Sequence, residues 1–64
     1  MIYTVHALDS DGYGLGLEYD YDFTNKKGAI NRAREFLNDI ELKEELHKTE
    51  VRNENGEVEW DREI

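Results

Sequence analysis

The sequence predicts an α+β domain of order β-β-α-β-β, with one amphipathic helix packed on one face of an antiparallel sheet. Three observations lead there. Two β-rich stretches flank the turn-forming run "DSDGYG", a central segment repeats its apolar residues at helical spacing, and Asn55-Gly56 separates two further strand-like runs.

Residues 2–8 form the first predicted strand, rich in Ile, Tyr, Thr and Val, with apolar groups on both alternation faces. Residues 15–23 form the second. Leu15, Leu17, Tyr19, Tyr21 and Phe23 alternate there with Gly16, Glu18, Asp20 and Asp22, giving one apolar and one anionic face. The residues between tolerate positive φ and close an antiparallel hairpin. Its register is left open, so either Tyr3 and Val5 or Ile2 and Leu8 share the core face. Thr24 or Asn25 can cap the helix, which "GAINRAREFLNDI" carries with Ala29, Ile30, Ala33, Phe36, Leu37 and Ile40 on one side. The following "NDIELKEEL" either extends that helix or turns.

Asn55-Gly56 reads as a two-residue hairpin loop. Val51 then lies opposite Trp60, Asn53 opposite Val58 and Thr49 opposite Arg62, while Arg52 meets Glu59 and Lys48 meets Glu63 in favourable cross-strand pairs. Glu50 falls opposite Asp61, a like-charge pair of small cost at a solvated surface unless a cation or a basic partner sits there. Tyr19, Tyr21, Phe23 and Trp60 are expected in the core. The two hairpins share no more than being hairpins, and residues 1–64 make a single domain without internal repeats.

A chain of 64 residues buries only about 60% of the surface its unfolded form exposes, so its stability is expected to be marginal. It has no cysteine, hence no disulfide framework and no thiolate metal site, which points to the cytoplasm. No targeting segment or membrane-length apolar run is visible. Sixteen acidic residues against eight basic ones leave a net charge of −8. That balance argues against direct nucleic-acid binding and against anionic membranes, and favours a basic protein partner.

Candidate sites for chemistry do not fill. Asp9, Asp11 and Gly14 match the start of an EF-hand loop, but Tyr13 and Asp20 stand where a ligand and the bidentate glutamate belong, between strands where helices are required. Gly12, Gly14 and Gly16 enter a strand, whereas phosphate loops open a helix. His6 and His47 are the only imidazoles and lack a third placed ligand for zinc. Ser10 has no histidine to activate it. The expectation is a non-enzymatic protein without cofactor or metal.

The anionic face is the remaining signal. Glu18, Asp20 and Asp22 stand about 6.6–7 Å apart along one strand, a spacing of the same order as that between nucleic-acid phosphates. Asp9 and Asp11 extend the row at the hairpin tip, and Tyr13 is the expected exposed anchor. These six residues form the predicted partner-binding surface. In its small size, acidity, lack of cysteine and sheet-and-helix layout, the chain resembles the counter-defence proteins of phages and mobile elements, the anti-CRISPR and anti-restriction inhibitors, some of which mimic DNA. Those proteins share no common motif, so no residue role is carried over. The resemblance implies a stoichiometric inhibitor that occludes a basic surface on a nuclease or other defence protein. The alternative is a small homodimeric accessory protein whose charge serves solubility.

Overall fold

Among the described residues, three antiparallel strands and one helix make an α+β fold. The computed structural model describes residues 1–15, 24–39 and 44–64. Strand β1 spans Thr4–Leu8, helix α1 Lys26–Leu37, β2 Lys48–Arg52 and β3 Val58–Glu63. The sheet order is β1-β2-β3, so β2 is central and pairs antiparallel with both neighbours. Of the predicted second strand, only Leu15 is among the described residues. There the chain begins to run back along β1, with Leu8 bridged to Gly14 and the Leu15 amide donating to the Ala7 carbonyl at 3.0 Å.

The helix begins where Asn25, in extended conformation, accepts the Gly28 amide on its side-chain oxygen at 2.7 Å. This settles the cap in favour of Asn25 over Thr24 and satisfies one of the four orphan donors of a first turn. At the other end the Asn38 amide donates to Arg34 and Glu35 and the Asp39 amide to Phe36, closing the helix at Leu37. Ile40, expected on the apolar side of the helix, lies outside the described residues. Ala29, Ala33 and Phe36 form the buried stripe. With only methyl groups at two of those positions, the helix axis comes close to the sheet, and both alanines are fully buried.

Against that stripe lie Val5 and Ala7 of β1 and Val51 of β2, with Leu46 from the preceding turn; Tyr3, Leu15, Ile30, Leu37 and Trp60 pack around them. The register thus places Tyr3, Val5 and Ala7 on the helix side. Leu8 is buried on the other face, apart from this cluster, and Ile2 is exposed. Burial of each large aliphatic or aromatic side chain contributes about 1.5–3 kcal/mol. Trp60 is half-buried at the margin of the core.

The second hairpin corrects the two-residue loop. The Asn53 amide donates to the Glu57 carbonyl at 2.9 Å and Gly56 to Asn53 at 3.0 Å, which makes Glu54, Asn55 and Gly56 a three-residue loop with Gly56 at φ 81°. The reason lies in Asn53, whose Oδ1 accepts the amides of Asn55 at 2.9 Å and Glu57 at 3.0 Å. A bulge at Glu59 then offsets the extra loop residue. Arg52 is consequently opposite Val58 instead of Glu59, and Asn53 does not face Val58. From Val51–Trp60 through Lys48–Glu63 the pairing is the one the sequence predicts.

The two turns are also far more alike than two generic hairpins. Asp9 Oδ1 accepts the amides of Asp11 at 2.9 Å and Tyr13 at 3.0 Å, Gly12 donates to the Asp9 carbonyl, and Gly12 has φ 86°. "DSDGY" and "NENGE" are one turn written twice, an Asp or Asn gathering two amides with glycine at the left-handed position. Asp9→Asn should therefore leave stability unchanged, whereas Asp9→Ala should cost about 1 kcal/mol; denaturant midpoints of the two variants check this. Thr49 is fully buried and its hydroxyl has no hydrogen-bond partner among the described residues. Thr49→Val should raise stability by about 1 kcal/mol in the same assay, because it relieves an unmet desolvation cost.

Candidate functional site

Three of the six predicted binding residues sit at the first turn. Asp11 and Tyr13 are exposed, Tyr13 at 72%. Asp9 is half-buried and spends a carboxylate oxygen on holding the turn. Glu18, Asp20 and Asp22 lie outside the described residues, as do Tyr19, Tyr21 and Phe23.

The structure brings together a second set of charges, on the sheet face turned away from the helix. Glu50, in the middle of β2, has only 8% of its side chain exposed. Its Oε1 accepts Arg52 Nη2 at 2.6 Å and Nε at 3.0 Å, and its Oε2 pairs with Lys48 Nζ at 3.0 Å. Residues two apart on a strand share a face, so β2 supplies the carboxylate and both its cations. Lys48 Nζ also lies 3.9 Å from Asp61 Oδ2, which makes it the cation between Glu50 and Asp61. Lys48 and Arg52 thus turn along their own strand in preference to the expected cross-strand partners Glu63 and Glu59. Glu63 instead lies 4.0 Å from His47 Nε2.

Burial opposes the Glu50 charge, but hydrogen bonds from Arg52 and Lys48, backed by their charges, outweigh it and hold the carboxyl below its ordinary value. The hydrogen bond to Glu50, with that carboxylate's charge, raises Lys48. His6, paired with Glu50 across β1 and hydrogen-bonded to Thr4 Oγ1 at 2.9 Å, is lowered by burial and by Arg52, against a smaller opposing pull from Glu50.

With Lys48 and Arg52 engaged, the second hairpin is left strongly anionic. From residue 53 to 63 it carries Glu54, Glu57, Glu59, Asp61 and Glu63 against Arg62 alone, and all five acids are exposed. The helix is the opposite pole, with Lys26, Lys27, Arg32 and Arg34 against Glu35. The sequence held the signal for the acidic hairpin. Glu57, Glu59, Asp61 and Glu63 recur every second residue, as Glu18, Asp20 and Asp22 do, but read as cross-strand partners for β2 they do not stand out as a row. The bulge takes Glu59 out of strict alternation and leaves Asp61 and Glu63 side by side on one face.

Among the described residues no group of three or more His, Asp or Glu side chains could hold a metal ion, and no helix is long and apolar enough to cross a membrane. Compared with family models, with curated proteins and with solved structures, the chain matches none.

The pKa shifts set an expected pH dependence. Glu50 is depressed in the folded state, so its contribution is full above its ordinary value of 4.5 and is lost as pH falls through the folded value. His6 is also depressed, so the unfolded chain takes up the proton first and stability declines as pH drops below 6.5. Acidification also relieves self-repulsion of the net anionic chain, a contribution that added salt screens. Denaturant unfolding against pH at raised salt should show two declines. His6→Asn should remove only the first and Glu50→Gln only the second; unchanged profiles would disprove the assignment.

Proposed function

We propose that this chain is a non-enzymatic acidic protein-binding module that inhibits a nucleic-acid-handling defence protein by stoichiometric occlusion of a basic surface. One observation carries the reading. Both cations of β2, Lys48 and Arg52, are committed to buried Glu50, while the carboxylates of the second hairpin remain exposed. Such a surface attracts a basic partner at long range and speeds its association. Exposed Tyr13 supplies an aromatic anchor, of the kind that carries much of the binding energy in protein interfaces.

The exposed apolar side chains of Ile2, Val58 and Ile64 favour a second reading, a homodimeric accessory protein whose partner copy covers them. The two readings separate in one experiment. The immobilised protein is offered a panel of basic nucleases from host defence systems, with and without competing duplex DNA, at low and raised salt. An inhibitor of this kind binds one of them stoichiometrically, blocks its cleavage, is displaced by DNA and is weakened by salt. Charge reversal of Glu57 and Glu59 to lysine, or of Asp20 and Asp22, should lower the on-rate about tenfold or more, and the more damaging pair marks the face in use. Salt-insensitive self-association with no nuclease captured would favour the homodimer and overturn the inhibitor.

A further inference from the structure

The outer edge of β3 has unspent backbone hydrogen-bonding capacity. The Ile64 amide donates to the His47 carbonyl at 2.8 Å, which fixes the phase of the antiparallel ladder. Arg62, opposite Thr49, and Trp60, opposite Val51, direct their amides and carbonyls toward β2. By the same alternation Asp61 and Glu63 direct theirs outward. Among the described residues no strand pairs with that side, and every residue of β3 except Trp60 is exposed.

The edge is chemically two-sided. On the face away from the helix are the Asp61 and Glu63 carboxylates. On the helix side a cleft of about 410 Å³ opens, lined by Arg34, Leu37, Asn38, Arg62, Glu63 and Ile64. The Arg62 guanidinium lies 6.0 Å from the centre of the Trp60 ring there. A strand laid against β3 would therefore put alternate side chains beside two carboxylates and the intervening ones beside an aliphatic and cationic cleft.

A second copy of this chain is a poor occupant. Two β3 strands pairing about a two-fold axis keep like faces together, and each such register sets acids against acids: Asp61 against itself, against Glu59 or against Glu63. Like charges directly opposite are destabilising. An edge protected this way against its own kind is complementary to a strand of the opposite charge.

We propose that the open edge of β3 accepts an extended segment of the partner protein as an added strand, with lysine or arginine at alternate positions facing Asp61 and Glu63 and apolar residues between them facing the cleft. This β-augmentation draws affinity from main-chain bonds and specificity from the alternating side chains. It rests on the reading of the chain as an acidic protein-binding module and names the segment that module takes.

The test uses a short capped peptide alternating lysine and valine, and the same peptide N-methylated at its lysine amides. The two share one charge pattern and differ in their ability to pair with an edge. Binding is followed at low salt by amide chemical shifts of the protein. The unmodified peptide should bind about tenfold more tightly, with the largest shifts at the Asp61 and Glu63 amides. Glu63→Pro, which removes an outward amide and leaves the ladder to β2 intact, should abolish that preference, and Glu63→Gln should keep it. Circular dichroism verifies that the proline variant is folded, and the peptide comparison on the unaltered protein does not depend on it. Equal binding of both peptides, with shifts scattered over all the acidic residues, would overturn the edge as the site and leave the acidic module standing. Failure of both peptides to bind would overturn the edge and the acidic module together.

Discussion

The structure depends on a carboxylate buried in β2, the strand between β1 and β3. β2 is covered on the helix side, where Thr49 and Val51 are fully buried, and Glu50 is buried on the opposite side. An ionised carboxylate so placed is costly unless its oxygens are met by hydrogen-bonded cations. Lys48 and Arg52 meet both. That arrangement engages both cations of β2. The hairpin beyond it stays anionic, with five acids against Arg62.

Two irregularities protect that arrangement. The Asn53 side chain draws the turn into three residues, which alone would shift all of β3 by one position and exchange its faces. The bulge at Glu59 restores the phase, so that Trp60 returns to the core margin and Asp61 to the side of Lys48. On the other layer, Ala29 and Ala33 let the helix lie close over Val5, Ala7 and Val51. With so little apolar volume available, close approach does what larger side chains do in bigger domains.

Much of the fold is legible in the sequence, because periodicity reports which face is buried. The apolar stripe of α1 and the pairing of Lys48 through Val51 with Glu63 through Trp60 follow from it, whereas the choice of Asn25 over Thr24 as cap is made only by the hydrogen bond from Gly28. The three-residue loop escapes because Asn55-Gly56 also suits a two-residue turn, and only the demand of the Asn53 side chain for two amides decides between them. The same demand at Asp9 lies in "DSDGY", and comparing it with "NENGE" would have exposed the repeated turn. The charge pairing escapes for another reason. Cross-strand rules assign Lys48 and Arg52 to β3, whereas burial makes Glu50 the stronger competitor for both. Of the predicted binding surface, the Asp9, Asp11 and Tyr13 tip is where the hairpin signal puts it. The acidic edge of β3 becomes visible only once β2 is known to keep its own cations.

Residue-resolved amide hydrogen exchange on the free protein tests most directly whether a buried, self-neutralised central strand stands beside an open acidic edge. The expected result is slow exchange throughout β2 and alternation along β3, with Trp60 and Arg62 protected and Asp61 and Glu63 exchanging near the rate of unstructured chain. Protection of Asp61 and Glu63 equal to that of Trp60 and Arg62 would mean that the edge is already covered, and would contradict the account.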